Sequence, residues 1–312
     1  MMYFPYLRGR QFELIAVREL ATNNKLSHKV IPIIEPVRFS STLKNTLEAV
    51  GENDFKIALI KNPQVGTYFS EAREDKTGKK LEFLRNFVLK NASIIKAILV
   101  APDTATHLQW LNEKGIDNSN IISIYTNRDF INYYYDLFKE KSLYNVIPYE
   151  PSFRRIRGDR IQLNDRFAPL KKERNADYLL NEDEFFSDDH LYYADDNYKG
   201  FSDYSIVGKD YQDSGFAPYA VAIHIVYFAE DMSLRVHHFV SDSNDDISDP
   251  ARKFYEAVSK LHDWNTNMKL NTLGIQEFEK LYETEAYPGL GVIKKLSIMH
   301  HLELMGEYLE KV

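Results

Sequence analysis

The sequence predicts an α/β fold of barrel-like form, regular in its first half and irregular in its second, and three observations lead there. Between residues 30 and 150, short apolar runs alternate with amphipathic stretches of helical period. The runs are apolar almost throughout, as the strands of a parallel sheet covered on both faces must be. The run VIPIIEP at Val30 returns as VIPYEP at Val146, in the first and fifth expected strands. That offset of four βα units is what duplication of a half-barrel leaves, although two unrelated proline-bearing strands would look the same over so short a match. An open parallel sheet is the alternative, since the same units build both.

The elements follow in order. Residues 10–20 (RQFELIAVREL) set Phe12, Ile15, Ala16 and Leu20 at helical spacing, with Gln11, Glu13 and Arg18 facing away. Strands are expected at residues 30–36, 56–61, 94–100, 120–125 and 144–150. Helices are expected at 42–50, 79–89, 106–114 and 129–141, the third closed by Gly115. After Glu150 the rhythm breaks. Residues 154–174 are basic and residues 182–196 acidic. Runs at 219–228 and 234–240, joined by a short polar turn, read as an antiparallel hairpin. Helices at 250–264, 275–285 and 291–310 finish the chain. The expectation is a single barrel-like α/β domain over residues 1–312: regular βα units (1–150), an irregular insert with the hairpin (151–248) and C-terminal helices (249–312).

Composition narrows the function classes. With no cysteine, disulfides, thiolate nucleophiles and cysteine-held zinc or iron–sulfur centres drop out. A net charge of −7 opposes a duplex-wrapping role, because phosphate neutralisation supplies most of such affinity. The apolar runs are too short for a bilayer and the opening segment has no signal-peptide core, so no membrane partner and a cytoplasmic location are expected. Neither GxGxxG nor GxxxxGK[ST] occurs, and no cofactor is expected.

The opening Tyr3-Phe-Pro-Tyr-Leu-Arg-Gly-Arg-Gln-Phe-Glu13, with Leu14-Ile-Ala-Val-Arg-Glu-Leu20 and Ile31-Pro-Ile-Ile-Glu-Pro36, resembles an uncharacterised bacterial family known by a genome locus tag. More distantly it is similar to the phage-associated beta protein family, which also begins with a PxLxxR/KxxE-type segment and a P-x-x-E strand. Phe201-Ser-Asp-Tyr204 sits where such relatives carry an F-x-D-Y motif. The resemblance covers most of the chain and carries no catalytic residue with it. It implies a two-gene system with a nuclease-like neighbour, in antiphage defence.

If the units close into a barrel, polar residues at the C-terminal ends of the strands line one mouth. Those positions are Glu35, Lys61 with Asn62, Asp103, Asn127 with Arg128, Glu150 and Asp203. Glu35, Lys61, Glu150 and Asp203 are the candidate catalytic groups, able to do acid–base work or hold a divalent ion; otherwise they are solvated loop-entry residues, or Lys61 simply pairs with Glu35. Arg8 and Arg10 flank Gly9 before the first helix, as an anion clamp or as partners of Glu13. With Asp103 and Asn127 they are the candidate substrate-binding residues. His237 and His238 point to opposite strand faces, His300 and His301 lie about 100° apart on a helix, and no HExxH spacing exists, so no metal site is expected. Arg154, Arg155, Arg157 and Arg160, with Phe153 and Phe167 interleaved, are the one tract suited to nucleic acid or to a protein partner. The acidic tract that follows could instead neutralise it.

Overall fold

Parallel pairing runs through every apolar segment of the first half in the computed structural model, which describes residues 2–74, 76–212 and 219–312. In chain order the elements are β1 (Tyr6–Leu7), α1 (Gln11–Thr22), β2 (Ile33–Ile34), α2 (Ser41–Glu52), β3 (Ile57–Ile60), α3 (Tyr68–Glu74), α4 (Lys79–Lys90), β4 (Ile94–Leu99) and α5 (Thr104–Glu113). Then come β5 (Ile121–Ile124), α6 (Tyr133–Asp136), β6 (Tyr144–Pro148), β7 (Arg160–Asn164), β8 (Asp183–Ser187), α7 (Asp189–Tyr192) and β9 (Gly200–Asp203). The chain ends with β10 (Ala222–Phe228), β11 (Leu234–Val240), α8 (Pro250–Met268), α9 (Leu273–Glu283) and α10 (Leu290–Lys311).

Eight strands form one parallel sheet in the order β1-β2-β3-β4-β5-β6-β7-β9. Its ends meet: Tyr3 and Phe201 form a parallel bridge, the Phe4 N–H donates to the Phe201 carbonyl at 2.9 Å, and the Phe201 N–H to that of Met2 at 3.2 Å. The sheet is therefore a nearly closed barrel, and the open-sheet alternative falls. The repeated motif occupies β2 and β6, so the offset of four units survives.

Three of the differences from the sequence reading bear on the barrel strands and their connections. The rhythm does not stop at Glu150, because β7 and β9 complete the barrel. In β7 only alternate residues are apolar: Ile161 and Leu163 face the interior, Gln162 and Asn164 the outside. Such alternation inside a basic tract does not look like a buried parallel strand. β1 is also new, hidden because Pro5 interrupts so short a run. The helix expected over 129–141 is only a 3-10 turn, Arg128–Phe130, and the single turn of α6. Lys139 and Glu140 then take positive φ of 54° and 60°, which stops a helix.

The described chain divides into two compact units that cut across the sequence segments. The first (residues 1–164 and 189–204) is the barrel. Its interior is filled by alternate strand residues, among them Phe4, Tyr6, Ile31, Ile33, Ala58, Ile60, Ala97, Leu99, Ile122, Ile124, Val146 and Tyr204. The second (165–188 and 205–312) holds the antiparallel sheet β10-β11-β8, with the hairpin as expected, and helices α8 to α10. Among the described residues, no helix is long and apolar enough to cross a membrane.

Candidate functional site

The C-terminal end of the barrel interior carries a charged cluster. β1 sends Tyr6 inward, and the period of two carries Arg8 to the same side. Gly9 then turns the chain at φ +62°, where a Cβ would stand 2.9 Å from the Glu35 carbonyl oxygen, so only glycine fits. β2 places Glu35, fully buried, beyond Ile31 and Ile33. Glu35 Oε2 accepts from Tyr6 Oη at 2.6 Å and from the Arg8 guanidinium, and Oε1 accepts from the Gln64 backbone N–H at 2.8 Å. The Arg8 guanidinium lies 5.3 Å from the Tyr6 ring centroid and 5.7 Å from that of Tyr204, whose rings are 4.9 Å apart. Burial, reinforced by the charge of Glu35, raises the Tyr6 hydroxyl well above its ordinary pKa and keeps it a donor. Burial opposes the Arg8 charge, but Tyr6, Glu35 and Tyr204 outweigh it and raise its pKa. The result is a buried Arg8–Glu35 pair whose carboxylate has both oxygens engaged.

The other expected mouth residues do not join it. Lys61 falls on the outward side of the sheet, out of step with inward Ala58 and Ile60. Its ammonium sits 5.1 Å from the Trp110 ring centroid, and burial, with the charges of Arg85 and Lys96, pulls its pKa down to about 8. It has no part in an ion pair with Glu35. Asp203 is also on the outer face, buried, accepting from Tyr3 Oη at 2.7 Å beneath the stack of Tyr3 on Phe201. The F-x-D-Y motif is thus split by strand alternation, Tyr204 inward and Asp203 outward. Glu150 is exposed, at the head of the 3-10 turn Pro151–Arg155. Asn127 is exposed and caps a 3-10 turn through Asp129 N–H at 2.9 Å.

Asn62 and Asp103 do meet. Asn62 Nδ2 donates to the Leu99 carbonyl at 2.7 Å and to Asp103 Oδ1 at 3.0 Å, tying β3 to the start of α5, and His107 stands 3.3 Å from the other Asp103 oxygen. Arg10 is at the N-cap of α1, where its N–H donates to Glu13 at 3.3 Å. Arg8 and Arg10 therefore diverge, Arg8 into the barrel and Arg10 to the helix. The sequence reading missed Tyr6, Gln64 and Tyr204. Tyr6 and Tyr204 could have been found by counting in twos from Phe4 and from Ser202.

On the outer side, Arg154, Arg155 and Arg157 stand exposed on the crossover from β6 to β7. Arg160 lies 4.6 Å from the Tyr198 ring centroid and donates to the carbonyls of Asp196 and Asn197 at 3.1 and 3.2 Å. Of the basic tract, Arg160 alone among these four arginines engages the acidic tract, and it does so through the backbone.

His238, His300 and His301 are buried. His224 and His238, neighbours across the hairpin, face each other Nδ1 to Nδ1 at 2.7 Å, with Glu184 3.3 Å from His238 Nε2. His237 points the other way, to Asp183 at 3.2 Å. Among the described residues no group of His, Asp or Glu side chains is placed to hold a metal ion.

No family model, curated protein or solved structure matches the chain. The resemblance to the locus-tag family and, more distantly, to the beta protein family rests on the residues quoted for it alone.

Proposed function

We propose that the protein works through its outer surface, as the docking half of a two-gene bacterial system in antiphage defence, with the nuclease-like neighbour as its partner. The observation that supports this is the exposed arginine cluster. Arg154, Arg155 and Arg157 form no ion pair with a carboxylate among the described residues, in a chain whose net charge is −7. Tyr149, 52% exposed, precedes them, with its ring 6.3 Å from that of Tyr198. Arginine beside exposed tyrosine is the composition of interface hot spots, and an acidic protein face complements it.

Charge reversal at Arg154, Arg155 and Arg157 together is expected to abolish co-purification with the co-expressed neighbour. The melting temperature should stay nearly unchanged, because solvated charges contribute less than about 1 kcal/mol each. Co-purification that survives the reversal removes this surface from the reading. Salt-sensitive retention of single-stranded oligonucleotide by the wild type, lost on reversal, would transfer the tract to nucleic acid.

A second reading is a barrel enzyme acting on a phosphate-bearing or other anionic small molecule. One observation favours it: the buried charges of Arg8 and Glu35 lie at the C-terminal end of the strands, where barrel enzymes keep their sites. In that reading Arg8 grips the anion once substrate displaces Glu35. Lys61, Asp203 and Glu150 have no part in it.

A further inference from the structure

A cleft of about 770 Å³ opens on the barrel unit beside the C-terminal ends of β2 and β3, lined by Phe39, Ser40, Lys44, Glu71, Lys79 and Phe83, among others. Its walls are the segment after β2, the segment after β3 and the first turns of α2 and α4. Glu71 ties two of these walls together. It accepts from the Phe39 N–H and the Arg38 guanidinium, each at 2.9 Å, and from Thr67 Oγ1 at 2.7 Å. That carboxylate is committed to holding the cleft open and is not a ligand group. The other charged lining residues described are Lys44, Lys79, Lys80 and Glu74, and Lys44 pairs with Glu48 at 3.1 Å.

The apolar lining is aromatic. Phe83 is 51% exposed, more than any other phenylalanine described, and the Lys44 ammonium lies 5.1 Å from its ring centroid. Leaving a phenylalanine half in water forgoes part of the roughly 1.5–3 kcal/mol that its burial would bring. A planar ring stacking on it would recover that. The volume lies within the range of roughly 300–1,000 Å³ typical of small-molecule sites. The N-terminal turns of α2 and α4 both border the cleft, adding their dipoles to the lysines. α4 opens on Gly78, which has no side chain to cap it.

We propose that this cleft binds a mononucleotide, its phosphates held by Lys79 and Lys80 and its base stacked on Phe83. The site is independent of the docking surface, and either can stand without the other.

The test is calorimetric titration of the full chain with ADP, with adenosine and with inorganic phosphate. ADP is expected to bind the wild type with a dissociation constant below about 1 mM. The double variant Lys79→Glu, Lys80→Glu should weaken ADP by about tenfold or more, as loss of charge-assisted contacts predicts. Phe83→Ala should weaken ADP by about fivefold, a stacking loss, while leaving any inorganic phosphate affinity as it was. All three side chains are exposed, so both variants fold. Absence of ADP binding to the wild type, or binding that both variants retain in full, overturns the proposal. Phosphate binding as tight as ADP, with no effect of Phe83→Ala, overturns the nucleotide and leaves a bare phosphate site.

Discussion

Glu35→Gln is expected to lower the stability of the barrel by about 3–5 kcal/mol, the usual cost of breaking a buried ion pair from one side. The substitution keeps the shape and leaves oxygen and nitrogen where the two oxygens were. The amide can still accept from Tyr6 or from the Gln64 N–H, but it cannot balance Arg8, whose side chain is only 15% exposed. The two tyrosine rings beside the guanidinium offset part of the loss, since cation–π contacts are worth about 0.5–2 kcal/mol. Arg8→Met combined with Glu35→Gln should recover most of the stability, because no charge is then left buried. Glu150→Gln, at an exposed position, should change stability by less than about 0.5 kcal/mol. Urea unfolding of the four proteins, wild type included, decides the matter. If Glu35→Gln unfolds at the wild-type midpoint, the pair is not a structural plug, and the enzyme reading of the barrel mouth gains. Had Glu35, Lys61 and Glu150 shared one cavity, both glutamine variants would have been harmless to folding.

That difference marks what was legible in the sequence. Strands that are apolar on both faces announce themselves, so β2 to β6, with α2, α4 and α5 between them, could be read directly, whereas α3 and the shortness of α6 could not. Direction within a strand could be read as well, but only with a fixed starting parity. Lys61 and Asp203 sit one residue from an inward neighbour and therefore project outward. A list of residues at strand ends does not distinguish the two faces; counting in twos from the apolar interior does. β7 escaped because its outward residues, Gln162 and Asn164, turn their amide N–H groups to a carboxylate and are not apolar residues under a helix. Both donate to Asp189, at 2.8 to 3.1 Å. Nothing in the local sequence signals that a residue 25 positions away supplies the acceptor. The pairing of His224 with His238 was similarly hidden. The turn suggested a hairpin, but the register that sets these two residues opposite each other came only with the fold.

Mild acid should unfold the second unit, and its histidines define the range. His300 is fully buried on α10, with Nε2 donating to the Val226 carbonyl at 2.6 Å and Nδ1 accepting from Thr272 Oγ1 at 2.7 Å. Both nitrogens are satisfied in the neutral ring, and what opposes its protonation is burial. Burial pushes its pKa from the ordinary 6.5 down to about 4, against the pull of the Val226 carbonyl. Burial also takes His238 to about 4, opposed by Glu184, and holds His224 well below 6.5, with His238 and Lys294 adding to the effect. One proton fits between the two facing Nδ1 atoms; a second sets N–H against N–H. In the unfolded chain these rings take up protons near their ordinary pKa, while the native rings stay neutral. The unfolded state therefore binds more protons between about pH 6.5 and pH 4, and stability is full above that window and lost as the pH falls through it. His300 alone accounts for about 3 kcal/mol of that loss. Melts between pH 7.5 and pH 4.5 should show a steep fall, shallower in His300→Gln, whose amide can still donate to Val226 and accept from Thr272 without titrating. A flat profile in the wild type, or an equal slope in the variant, would mean that His300 takes its proton within the fold.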